Sequence, residues 1–136
     1  MDVVGFTVYA DLNAYYDTGE LVVFNGVTSN IGGHFQPATS SFLCPITGVY
    51  YFSLAVSNVN DDNGIHAHLM IEDQILASVR GTALGTYNQG TNSAITTCER
   101  GQSVWVQVAC CDDQRVFGSA TYKYSSLSGF LVHAAL

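Results

Sequence analysis

His66 and His68 stand one residue apart, with Ala67 between them. Residues i and i+2 of an extended strand project from one face, and two imidazoles so placed could chelate zinc or copper. Two ligands do not make a complete site, so the plain alternative is a pair of solvated imidazoles, unless copies around a symmetry axis supply more. Hard oxygen ligands suited to Ca2+ occur in Asn60-Asp61-Asp62-Asn63-Gly64 and again in Asp112-Asp113. Neither segment has the spacing of a calcium-binding helix-loop-helix, and a solvated turn is the simpler reading of both.

Nothing in the chain forms a catalytic set. There is no G-x-S-x-G, no H-E-x-x-H and no paired carboxylates with a positioned partner. Cys44 with His34 could serve as nucleophile and base, and the plain alternative for Cys44 is a small buried hydrophobe. An enzyme is therefore not expected. Four cysteines allow three pairings. Cys110 and Cys111 are adjacent, a geometry unfavourable to a mutual disulfide, and a short hairpin would set Cys98 opposite Ser103 rather than Cys110. Free or loosely paired thiols are expected.

A different chemistry collects in the polar connections. Tyr87, Asn88, Gln89, Asn92, Asp112, Asp113, Arg115, Tyr122, Lys123 and Tyr124 combine aromatic planes with amide and carboxylate groups. Sugars offer CH faces for stacking and hydroxyls for hydrogen bonding, so this set suits carbohydrate. Arg115 or Lys123 could also pair with the carboxylate of a sialic acid. The competing reading is that Tyr and Asn are simply common in turns.

These groups must be positioned by a chain of unusual composition. Of 136 residues only 11% are charged, against about a quarter in ordinary domains, while 48% are hydrophobic and mean hydropathy is +0.21. Disorder is excluded by that balance. A net charge of −7 with a single lysine cannot build the basic footprint that nucleic acid or an anionic membrane demands. No run reaches the roughly 20 apolar residues that span a bilayer, and the N-terminus shows no basic segment followed by an apolar stretch. So apolar a chain of this size has more greasy surface than one small core hides, which implies burial between subunits.

Thirteen glycines, eight tyrosines, seven phenylalanines and the lack of helical periodicity point to an all-β domain. Alternation predicts strands over 5–10, 48–57, 65–72, 75–79, 94–98, 103–110 and 126–134, with a short apolar run at 21–24. Within Gly48–Ser57, Tyr50, Phe52, Leu54 and Val56 share one face. Glu99-Arg100-Gly101-Gln102 reads as a tight hairpin between two of these strands. A single globular domain over 1–136 is expected, without a Gly-X-Y collagen segment. Short strands separated by turns suggest a sandwich or a jelly roll rather than alternating strands and helices.

The spacing of the aromatic residues carries a resemblance. Phe24 is followed after five residues by Asn30, after four more by Phe35, after six by Phe42 and after five by Gly48-Val49-Tyr50-Tyr51-Phe52. With Phe42-Leu43-Cys44-Pro45, Gly101-Gln102-Ser103-Val104-Trp105-Val106 and Ser126-Leu127-Ser128-Gly129-Phe130-Leu131, this order resembles the globular head domain of complement C1q, a jelly roll related to tumour necrosis factor. Leu54 departs from the aromatic residue usual there. Phe24, Phe35, Phe42, Tyr50, Phe52, Trp105 and Phe130 are expected on inward strand faces as core.

The resemblance implies a secreted homotrimer without enzymatic activity, and for a stand-alone domain a pattern-recognition lectin for glycans on microbial surfaces. The alternative it leaves open is a structural or signalling trimer that binds a protein, mineral or matrix partner. Some family members bind Ca2+ through loop aspartates, but Arg80 and Asn88 stand near those positions here and Gln102 replaces another aspartate. No cofactor is required by either reading, though Ca2+ could take part. The ligand-binding candidates are Asp61, Asp62, Asn63, Tyr87, Asn88, Asp112, Asp113, Arg115, Tyr122 and Lys123, and the metal candidates are His66 and His68.

Overall fold

A computed structural model describes residues 3–59, 64–81 and 87–135, with Val59 and Tyr87 as main chain only. The described residues form twelve strands: β1 (Gly5–Tyr9), β2 (Ala14–Tyr16), β3 (Gly26–Ile31), β4 (Phe35–Gln36), β5 (Ser41–Leu43), β6 (Gly48–Val59), β7 (Ile65–Ile71), β8 (Gln74–Gly81), β9 (Tyr87–Cys98), β10 (Ser103–Val108), β11 (Gln114–Val116) and β12 (Ser126–Ala134). One antiparallel sheet has the order β3-β1-β12-β6-β9, a second the order β4-β5-β10-β7-β8, and β2 with β11 makes a separate two-stranded ribbon. This is the expected all-β jelly roll. The crossed strand order explains why consecutive strands so seldom pair.

Side-chain alternation drives the two sheets together. Tyr50, Phe52, Leu54 and Val56 are all buried, and so are Ile65, Ala67 and Leu69 on β7 and Val104, Val106 and Val108 on β10. The aromatic centre joins the layers: the Phe42 ring of the second sheet lies 4.9 Å from Phe6, 5.7 Å from Tyr50 and 5.8 Å from Phe52 of the first. Phe35 stacks on Phe6 at 5.3 Å, and Phe24 is fully buried. Gly129 occupies the place on β12 between Phe6 and Phe52, where a Cβ would fall 2.5 Å from the Phe52 ring.

Two residues expected in the core lie outside it. Phe130 follows Gly129 and therefore faces out, 49% exposed, with its ring tilted against Tyr51 at 5.6 Å. Trp105 sits between inward Val104 and Val106, so it also points out, half-buried, and its Nε1 donates to the Glu72 carbonyl at 2.9 Å. Gly129 fills the inward slot at one position, and the valine alternation fills it at the other.

The expected hairpin over Glu99–Gln102 is corrected as well. β9 and β10 belong to different sheets, and the connection is a crossover held by Gln102 N to Glu99 O at 2.9 Å and by Gly101 N to Cys44 O at 2.9 Å. Cys98 is thereby carried into the core beside Cys44. The run at 21–24 is not a strand of either sheet. It runs along β10, with Val22 N donating to Val106 O at 2.9 Å.

Candidate functional site

The ends of β6 and β9 and the segment linking β11 to β12 meet at one end of the sandwich. Ser57 anchors that meeting: its N–H donates to Ser125 Oγ at 2.9 Å, and Phe117 N donates to Ser57 O at 2.8 Å. Ser125 Oγ in turn donates to Phe117 O at 2.8 Å. A turn then forms as Tyr122 N donates to Ser119 Oγ at 3.0 Å and Lys123 N to Ser119 O at 3.0 Å, with Lys123 in the left-handed region at φ 55°. That turn brings three rings into a row, Phe117 to Tyr124 at 5.1 Å and Tyr124 to Tyr122 at 5.8 Å.

Between this aromatic row and the strand ends is a cavity of about 530 Å³, lined by Ser57, Asn58, Asn88, Gln89, Phe117, Tyr122 and Tyr124. The volume falls within the range of small-ligand sites, about 300–1,000 Å³. Asn58 and Asn88 face one another across the β6–β9 pair. Gln89 Nε2 donates to Ser57 Oγ at 2.9 Å and to Tyr124 O at 3.0 Å. No carboxylate, ammonium, guanidinium or imidazole belongs to the described lining. Such a wall can stack an apolar face and hydrogen-bond neutral polar groups.

Asn88, Gln89, Tyr122 and Tyr124 from the sequence-derived set are brought together here. Tyr87 opens β9, where its main chain pairs with Val59, and Asp61, Asp62 and Asn63 lie outside the described residues. The other candidates are placed elsewhere. Lys123 Nζ lies over the Tyr9 ring at 5.1 Å, and the Arg115 guanidinium lies over the Tyr15 ring at 5.7 Å on the β2–β11 ribbon. Asp112 Oδ1 accepts Thr18 N–H at 3.0 Å, which holds its carboxyl below the usual carboxylate range. Asp113 N donates to Asp17 Oδ1 at 2.9 Å. These aspartates tie the ribbon together.

Ser57, Asn58 and Phe117 were not anticipated. Asn58 reads as the first residue of a polar turn, yet it continues the even-numbered inward row of β6, and a polar residue at an inward position was the signal available.

His66 and His68 do share a face of β7, with ring centroids 5.3 Å apart. Ser78 Oγ lies 2.7 Å from His68 Nδ1, and burial, followed by the neighbouring His66, lowers the His68 pKa. Among the described residues no third His, Cys, Asp or Glu joins them to hold a metal. Cys44 is not poised for nucleophilic work: its thiol donates to the carbonyls of Ile46 at 3.2 Å and Cys98 at 3.4 Å. Burial is the main cause that pushes the Cys98 thiol pKa far up. Contrary to expectation, Cys110 and Cys111 are joined in a disulfide, and both are exposed. Gln114, fully buried, caps that turn, donating to Cys110 O and to Cys111 O while its Oε1 accepts His66 N–H at 2.7 Å.

The C1q domain family model matches residues 5–132, nearly the whole chain. The chain belongs to the C1q-domain family. Mouse complement C1q tumor necrosis factor-related protein 7 is 28% identical over 112 residues, 82% of this chain and 38% of that protein. Human complement C1q tumor necrosis factor-related protein 2 is 25% identical over 113 residues, 83% of this chain and 39% of that protein. The chain thus spans less than half the length of these relatives. Among solved structures, the globular domain of zebrafish complement 1qA superposes with a TM-score of 0.77 at 20% identity, covering 97% of this chain and 99% of that one. The Eiger TNF of S. frugiperda does so with 0.78 at 11% identity, covering 100% and 96%. Both likenesses concern the fold. In this C1q domain the loop-end cavity is the candidate site.

Proposed function

We propose that this C1q domain is part of a secreted recognition protein that assembles as a homotrimer and binds carbohydrate on microbial or other glycoconjugate surfaces. The observation that carries the reading is the cavity at the β6 and β9 ends, where a row of three aromatic rings faces asparagine and glutamine carboxamides without any charged side chain in the described lining. Stacking on CH faces and hydrogen bonding to hydroxyls is how uncharged sugars are held.

Trimerisation is supported by the outer face of the first sheet. Ile31, Gly5, Phe130, Tyr51 and Ile95 stand opposite one another in a single row across five strands. Ile31, Phe130 and Ile95 are exposed, at 50%, 49% and 68%. A contiguous apolar row of this kind is what a subunit interface covers. Three copies would present three weak sites, and avidity can raise overall binding by orders of magnitude. The reading is one of recognition, and the Cys44 thiol, which donates to main-chain carbonyls, is in keeping with it.

A second reading is favoured by the β2–β11 ribbon. Exposed Tyr15, with Arg115 over its ring, is the kind of tyrosine and arginine pair enriched at protein interfaces. It corresponds to a structural or signalling trimer with a protein, mineral or matrix partner. A glycan array probed with and without EDTA separates the two: carbohydrate recognition predicts selective hits that survive EDTA. No glycan hit, with binding to protein or mineral retained, would overturn it.

A further inference from the structure

One side chain in the cavity wall has hydrogen-bonding capacity that its neighbours leave unused. Asn58 is fully buried, and neither its Oδ1 nor its Nδ2 has a hydrogen-bond partner. It continues the inward row of Tyr50, Phe52, Leu54 and Val56, which carries its carboxamide to the inner wall of the cavity. A buried, unpaired carboxamide destabilises a fold, and native proteins retain few of them. A leucine shares the branched shape, though it is bulkier, and would stand in the same position without that cost. Asn30 shows the paired arrangement in the same chain: its Nδ2 donates to Phe35 O and its Oδ1 accepts Phe35 N–H, each at 3.0 Å. One asparagine there engages an adjacent donor and acceptor at once.

We propose that Asn58 orients a neutral hexose in this cavity through two adjacent ring hydroxyls, one donating to Oδ1 and the other accepting from Nδ2. The proposal rests on the carbohydrate reading of the site and narrows it. Vicinal hydroxyls supply a donor and an acceptor side by side. An acetamido group does not, because the N–H and C=O of a trans amide point in opposite directions. A carboxylate or phosphate would enter a lining whose described residues offer no cation to balance it. Asn58 is closed to bulk water in the unliganded molecule, so entry requires part of the lining to turn aside. The exposed members Gln89 and Tyr122 can do so without opening the core.

The test is a titration of the full chain, followed by NMR, with methyl hexopyranosides, their single deoxy counterparts, and N-acetylneuraminic acid as the charged control. The expected result is binding of at least one hexoside, weakened about tenfold by removal of either of two neighbouring hydroxyls and much less by removal of the others. Asn58→Leu is expected to lose binding by a similar factor while its melting temperature stays level or rises. If a hexoside binds but shows no adjacent pair of sensitive hydroxyls, or binds Asn58→Leu undiminished, the role of Asn58 is overturned and the carbohydrate reading stands. If N-acetylneuraminic acid binds in preference to every neutral hexoside, the neutral-ligand assignment is overturned. If no sugar binds here or on a glycan array, both fail. Should Asn58→Leu not fold, the deoxy series on the unaltered chain decides alone.

Discussion

Ser125 Oγ accepts the main-chain N–H of Ser57 at 2.9 Å, and both residues are buried. That bond fixes the segment bearing Phe117, Tyr122 and Tyr124 to the end of β6, so the aromatic wall of the cavity depends on a hydroxyl outside the cavity lining. Ser125→Ala would leave the Ser57 N–H and the Phe117 carbonyl without these partners. The expected cost is about 1–3 kcal/mol, read by thermal unfolding, with a loss of sugar affinity as the ring row loosens. Unchanged affinity would show that the wall is held by other means.

The aromatic centre divides sharply from the exposed aromatics. Phe42 packs against Phe6, Tyr50 and Phe52, and Phe42→Ala is expected to cost about 3–5 kcal/mol in denaturant unfolding. Trp105 points outward from the second sheet, so Trp105→Ala should cost roughly 1 kcal/mol, near the worth of its single bond to Glu72 O. A Trp105 cost equal to that of Phe42 would contradict the placement described.

The row on the first sheet makes a prediction about assembly. Phe130→Glu places a charge at its centre beside Tyr51 and should convert the proposed trimer to monomer in sedimentation or light scattering, with the far-ultraviolet spectrum retained. An unaltered trimer would remove this face from the interface.

His68 gives the fold a pH dependence of defined sign. Burial, then proximity to His66, sets its folded pKa below the ordinary 6.5. As pH falls through about 6.5 the unfolded chain takes up a proton that the folded chain does not, so stability is full above that pH and declines below it. His68→Gln should flatten the decline in melting temperature between about pH 7 and pH 5. An equally steep decline would assign the effect to other groups.

Much of this was legible in the sequence, and the rest was hidden for identifiable reasons. The alternation over Gly48–Ser57 and Ile65–Glu72 gave strands and inward faces that the structure retains, because buried rows must recur at every second residue. Aromatic character marks Phe130 and Trp105 as core, but strand parity turns both outward: the inward neighbour of Phe130 is Gly129, and a glycine leaves no apolar signal. The missing hairpin at Glu99–Gln102 reflects a choice between pairing within a sheet and crossing to the other, which local turn chemistry does not decide. In the loops, residue types pointed to sugar-binding chemistry, but only the fold separates Asn88 and Tyr122 from Asp112, Asp113 and Arg115. β2 and β11, each three residues long, create that separation, and strands so short carry almost no period.

We propose that carbohydrate binds in the cavity between the β6 and β9 ends and the Phe117–Tyr124 row. The most direct measurement is an amide chemical-shift map of the isotopically labelled chain titrated with the strongest neutral glycan from an array. Shifts are expected to concentrate at Ser57, Asn58, Asn88, Gln89, Phe117, Tyr122 and Tyr124, while His66, Trp105 and Phe130 stay still. Shifts confined to the β2–β11 ribbon or to the row through Phe130 would contradict it.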